Sequence, residues 1–347
     1  MSASPDTAAH TSPRIGIRQA IQTLGMLPVL ILLCLLFQFL SGYSDTGNWA
    51  TAWGEGRFIS LQNLSIVAQQ VSINTVLAAG MTFVILTGGI DLSVGSILAA
   101  AAMIGLIASK VPDIGLIGIP ASLLMGLALG SANGALIAFG KLPPFIVTLG
   151  SLTAVRGFAR LLGNDQTVFN PSLPYAWVAK DLVIPGINLP IPVLAIIALI
   201  VVVLSWWVLR RTVLGVHIYA VGGNPDAARL SGIKVWVVLL FVYAASGFMS
   251  GLGAVMASAK LYAANGLQLG GSYELDAIAA VVLGGTSLVG GIGSIWGTLV
   301  GAIILAVLSN GLILTGVSDI WQFIIKGFVI IGAVALDRYR LSGSART

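Results

Sequence analysis

The chain has 347 residues, of which 57% are hydrophobic and 8% charged, with a formal net charge of +5. A water-soluble domain carries about 25% charged residues, so too few polar side chains are present here to cover a water-facing surface. The basic excess sits just beyond apolar runs, which argues against nucleic acid as a partner and fits the positive-inside pattern of membrane proteins.

In chain order, residues 1–22 read as a cytoplasmic tail rich in Ser, Thr, Ala and Pro. Ten crossings follow, near 24–42, 64–87, 93–109, 114–139, 144–162, 189–209, 236–258, 274–290, 294–315 and 319–336. Runs such as "LGMLPVLILLCLLFQFL" are long enough to span a roughly 30 Å hydrocarbon core as helices. Strict apolar–polar alternation is missing, so a β-barrel does not fit. The fold class is therefore an all-α polytopic membrane protein of about ten transmembrane helices, with a transmembrane domain over 23–336 and a cytoplasmic tail over 337–347. With both termini inside, ten of the 17 Lys and Arg fall on the inner side and six on the outer, and Lys326 lies within the last crossing. The long outer loop, 163–188, carries aromatics and prolines suited to a membrane surface or an external partner. The long inner loop is 210–235. "VILTGGIDLSVGS" (84–96) is echoed by "VVLGGTSLVGGIGS" (281–294), consistent with a parallel internal duplication.

Within the first of those echoes, Gly88 and Gly89 permit φ > 0 and end the preceding helix. Asp91 or Ser93 is then placed to cap the next helix through its first amides. A contact of Asp91 with a partner or a solute path is compatible with that reading. In "GGNPDAARLSGI" (222–233), Gly222 and Gly223 bend the chain, Asn224 is the expected cap and Pro225 suits the first turn. Asp226 sits where the helix dipole favours an acid. Pro225, Asp226, Ala227, Ala228, Arg229 and Leu230 then form about two helical turns ended at Gly232. So short a helix cannot stand alone in water, and it needs something to dock against.

Gly126, Gly130 and Gly134 share one helix face, as do Gly293, Gly297 and Gly301, a pattern for close helix packing. Among polar residues inside crossings, Gln70, Asn74, Asn133 and Asn310 are candidates either to glue helices together or to line a path for a polar neutral solute. Lys326 is expensive unless it pairs or snorkels. The sequence has two histidines and one cysteine, Cys34, with no HExxH, Cys cluster or P-loop, so metal chemistry and self-contained ATP hydrolysis have no residues to carry them.

"TGGIDLSVGS", "NGALIAFGKLPPFIVTLG" (133–150) and "AVGGNPDAARLSGI", in that order, resemble the membrane permease of ribose-type sugar importers of the ATP-binding-cassette class. The resemblance runs from about residue 60 to 336. "DAARLSG" is similar to the family's E-A-A-x-x-x-G coupling motif, with Asp226 in place of Glu and Gly232 at the glycine. It implies a pore made of two copies, or one copy and a paralogue, in a bacterial inner membrane. It also implies an ATPase subunit docked on 222–233 and a periplasmic sugar-binding protein. ATP would be hydrolysed by that partner, with no cofactor bound by this chain. Branched-chain amino acid or nucleoside permeases of the same superfamily are the nearest alternatives, and an ion-coupled carrier a more distant one.

Overall fold

The structure, a computed structural model, describes residues 26–183 and 190–344; the predicted tail at 1–22 lies outside the described residues. The α-helices are α1 (Leu27–Thr46), α2 (Ala52–Glu55), α3 (Leu61–Leu86), α4 (Val94–Ala108), α5 (Gly118–Ala138), α6 (Pro144–Leu162) and α7 (Val193–Arg211), then α8 (Val213–Gly223), α9 (Pro225–Leu230), α10 (Val235–Leu261), α11 (Tyr273–Leu283), α12 (Ile295–Leu314) and α13 (Asp319–Ser344). Two short antiparallel ladders join β1 (Thr167–Phe169) to β4 (Ala263–Asn265) and β2 (Asp181–Val183) to β3 (Pro190–Pro192).

Local chemistry sets many of these limits. Ser60 caps α3 by accepting from the Asn63 amide. Pro143 and Pro144 start α6 where no intrahelical donor is needed. The chain between α7 and α8 is one extended residue, Thr212, whose hydroxyl accepts from the Gly215 amide and restarts the helix at once.

Among the described residues, seven helices are long and apolar enough to cross a bilayer: α1, α3, α6, α7, α10, α12 and the Gly115–Ala138 stretch that contains α5. The chain is an all-α polytopic membrane protein. Of the three other predicted crossings, the tenth falls on α13 (Asp319–Ser344) and two differ in kind. The third is α4, whose 15 residues rise only about 22 Å, short of the roughly 30 Å core. The eighth is α11, with 11 residues and about 16 Å of rise. The eighth stands out in the sequence as the weakest, being short and opening with two acids, Glu274 and Asp276; the third gives only an apolar run, which says nothing of depth. The tail expected from 337 continues as helix α13 to Ser344.

The core is built on α3, α4 and α10. Ala99 to Ala102 of α4 are fully buried, so the helix is wrapped on every side. Helices α5 and α10 pack antiparallel with their backbones touching: a Cβ at Gly126 would strike Gly247 and Gly251, and one at Gly130 would strike Tyr243 and Gly247. Gly297 and Gly301 meet Gly284 and Ala280 in the same way. Large apolar side chains stand exposed on the outer helices, Leu199, Ile200, Val203 and Leu204 on α7 and Ile31 and Leu32 on α1. Lipid is their solvent, so no partner need be invoked for them.

The two expected loops are both more structured than a free loop. In the 163–183 part, Leu173, Tyr175 and Val178 are buried, and the Tyr175 hydroxyl lies 3.2 Å from that of Ser258 on α10. This segment caps the strand-bearing end of the helices. In the 210–235 part, α8 is apolar and buries Gly215, Ile218 and Val221, and only α9 projects.

Candidate functional site

At the first chain break, α3 stops at Leu86 and Gly88 takes φ +77. Gly89 does not need a positive φ; its missing side chain makes room for the Tyr243 hydroxyl. Asp91 is fully buried. It does not cap α4 through the helix amides. One carboxylate oxygen accepts from the amide and hydroxyl of Ser93, and the other accepts from the Ser246 hydroxyl of α10 at 2.8 Å. The Asn133 side chain of α5 donates to the Ser93 hydroxyl at 2.9 Å. The break is thus a tertiary knot tying α4 to α5 and α10, where a local helix cap had been expected. Its remote anchor point, Ser246, gave no signal in the sequence because it lies on a distant helix.

The second break, 284–294, folds back on itself: the Ser287 amide donates to the Ile292 carbonyl at 2.9 Å, and Gly285, Gly290 and Gly291 all have φ between +74 and +97. The two breaks meet. The Gly291 amide donates to the Leu86 carbonyl at 3.0 Å, and a Cβ on Gly88 would lie 3.2 Å from the Val289 carbonyl oxygen. A third piece of chain closes the junction. A Cβ on Gly222, at the end of α8, would collide with the Leu86 carbonyl and the Gly291 amide. The Tyr219 hydroxyl donates to the Gly293 carbonyl at 3.0 Å. The echoed motifs therefore converge on the corner from which α9 departs.

Helix α9 has the expected local form. The Asn224 side-chain oxygen accepts from the amides of Asp226 and Ala227 at 3.0 Å each, Pro225 opens the helix and Gly232 takes φ +84 beyond it. Ala228 is buried against the body, whereas Asp226, Ala227 and Arg229 are exposed and Leu230 is 90% exposed. Arg229 reaches Asp226 at 3.4 Å on the exposed face, a pair worth little in itself.

The four polar candidates separate into two kinds. Asn310 forms a reciprocal amide pair with Asn63, at 2.9 and 3.0 Å, which fastens α12 to α3. Asn133 is committed to Ser93. Gln70 and Asn74 instead line a cavity of about 270 Å³ with Lys260, Asp276, Ser309 and Lys326. Lys326 pairs there with Asp276 of α11 at 3.4 Å. That partner lies on another helix, out of reach of any local spacing rule. Near the same helix, Arg156 of α6 donates to the carbonyls of Gly266, Leu267, Leu269 and Gly270, the irregular chain that leads from β4 into α11. Among the described residues, no group of three His, Cys, Asp or Glu is placed to hold a metal.

The family described as branched-chain amino acid transport system / permease component matches residues 63–334. The chain belongs to this permease family. The ribose import permease of Bacillus subtilis (strain 168) is 44% identical over 81% of this chain and 86% of its own length. The ribose import permease of Escherichia coli (strain K12) is 43% identical, covering 81% and 87%. The galactose/methyl galactoside import permease of Salmonella typhimurium is 37% identical over the same shares. No solved structure matches. In this permease the matched region contains both breaks, the α8–α9 corner and every helix from α3 to α12.

Proposed function

We propose that this permease is the membrane subunit of an ATP-binding-cassette sugar importer in a bacterial inner membrane. Its solute is a monosaccharide, with a ribose-like pentose ahead of the hexoses because the ribose permeases share 43–44% identity against 37% for the galactose and allose permeases. Branched-chain amino acids, which the family description names, are not favoured, because these relatives are all sugar permeases.

The observation that carries the mechanism is α9, a capped and exposed helix that leaves the end of α8 where Gly222 meets both breaks. An ATPase subunit grips α9 through Leu230 and the acidic first turn. Its movement on ATP binding and hydrolysis reaches Gly222, and from there Leu86 and Gly291, with no flexible side chain between to absorb it. The two breaks then shift together. A sugar-binding protein delivers solute at the strand-bearing end, and a second permease copy or paralogue completes the path. ATP chemistry belongs to the partner subunit, and this chain binds no cofactor.

The test is affinity purification in mild detergent from the native host, followed by identification of the bound chains and by uptake in proteoliposomes. An ATPase subunit should copurify and be lost with Asp226→Arg, and ATP-driven uptake of ribose should exceed that of leucine. A chain that arrives alone and moves solute without ATP would be a secondary carrier, and the proposal would fail.

A further inference from the structure

The stretch between β4 and α11 crosses the membrane interior without being a helix. Its depth follows from its neighbours. Gly163, at the end of α6, lies against the Met103 side chain of α4, while Gly270 lies against the Gly95 backbone. Eight residues of α4 separate Gly95 from Met103, so Gly270 sits about 12 Å inward of the end of α6. Helix α6 has 19 residues and is about 28 Å long, which puts Gly270 near its middle.

Bare backbone at this depth is tolerated only when it is buried in protein or faces a water-filled space, because lipid offers no hydrogen bonds. On its inner side the backbone of the stretch is held: Arg156 takes four carbonyls, and Gly266 and Gly270 are buried, while the Glu274 Oε2 beside Gly95 has no hydrogen-bond partner among the described residues. The other side is open. Leu267, Gln268, Gly271 and Ser272 are exposed, and Ser272 holds φ +65, a strained conformation for a residue with a side chain. Among the described residues, neither the Gln268 nor the Ser272 side chain makes a hydrogen bond. A polar, non-helical, mid-depth surface of this kind contrasts with the leucine and valine surface of α7.

Resting on the reading of this chain as a sugar permease, we propose that residues 267–272 line the water-filled solute path at mid-membrane. Gln268 and Ser272 are its hydrogen-bonding contacts. A neutral polyhydroxylated solute loses water as it crosses a constriction and needs donors and acceptors to replace it. The Gln268 amide offers both kinds, and the Ser272 hydroxyl does too. Arg156 is the positioning residue that holds this ledge against α6.

The test uses the full transporter in proteoliposomes, with Cys34→Ser removing the single native thiol. Gln268→Cys, Ser272→Cys and, as a lipid-facing control, Leu199→Cys are treated with a charged methanethiosulfonate, which reacts with thiolate in water and not in hydrocarbon. Gln268→Cys and Ser272→Cys should be modified at least tenfold faster than Leu199→Cys. Modification should abolish uptake, and loaded binding protein should slow it. Cysteines that react only after denaturation in detergent would mean that protein, such as the second copy, seals this face. Rapid modification that leaves uptake intact would mean a crevice off the path. Either result overturns the proposal. Clear labelling and protection, together with no ribose uptake by the unmodified chain, would leave the path in place and reject only the choice of sugar.

Discussion

Asp91 is the residue on which the first break depends. Its carboxylate accepts three hydrogen bonds in a fully buried site, and each donor left unsatisfied costs roughly 1–3 kcal/mol. Asp91→Ala should lower the thermal midpoint of the detergent-solubilised permease by several degrees, with uptake falling alongside. Asp91→Asn should be much milder, because the amide oxygen can still accept from Ser93 and the Ser246 hydroxyl can turn to accept from the new amide. Equal effects of the two in a thermal unfolding assay would show that the knot is not what holds the break. The Lys326–Asp276 pair behaves differently. Removing one partner strands a charge among helices at a cost of about 3–5 kcal/mol when burial is complete, whereas removing both need cost little. Lys326→Met alone should therefore destabilise more than Lys326→Met combined with Asp276→Leu. Neither network was legible beforehand: Asp91 and Lys326 were visible as costly residues, but their partners lie 155 and 50 positions away.

At the scale of elements, α9 was the most legible part of the chain, because capping is local chemistry. Asn224, Pro225 and Gly232 announce it within nine residues, and the structure places all three as expected. A helix of six residues depends heavily on that cap, worth about 1 kcal/mol. Asn224→Ala should accordingly weaken ATPase binding about fivefold, measurable by titrating the purified ATPase onto permease in nanodiscs. Helices α4 and α11 were the least legible. Their apolar runs look like crossings, yet each stops part-way, and what completes them is tertiary: α4 is jacketed by α5, α6 and α10, and α11 is fed by a backbone held on Arg156. The two acids at the start of the α11 run hint that it is not an ordinary crossing, but no pattern within either run names its partners.

At the scale of the whole molecule, the two echoed breaks and the α8–α9 corner form one contact, and its tightness is the functional property. Gly222 has no room for a side chain. Gly222→Val should separate the breaks from the corner while leaving α9 exposed and capped. The expected result is an assembled transporter that still hydrolyses ATP but has lost most of its uptake, measured as solute moved per ATP. Loss of ATPase binding as well would place Gly222 in the docking surface itself. The meeting of the echoes was not visible from sequence, which showed two similar segments and gave no reason for them to touch.

The Asn63–Asn310 pair also has a consequence for biosynthesis. Its members are 247 residues apart, an interval of roughly 12–50 s at ordinary translation speeds. Helix α3 is thus made early and waits. Its partners on α12, Asn310 and the Thr298 hydroxyl 2.8 Å from Thr82, and the Gly291 amide just before that helix, come near the end of synthesis. During that interval Asn63 keeps only its bond to the Phe58 carbonyl and Thr82 only its bond to the Ala78 carbonyl, while the Leu86 carbonyl waits for its donor, a state that insertion chaperones would hold and membrane proteases would attack. A chain stalled or truncated before α12 should be cleared from the membrane, not left as a partly working pore.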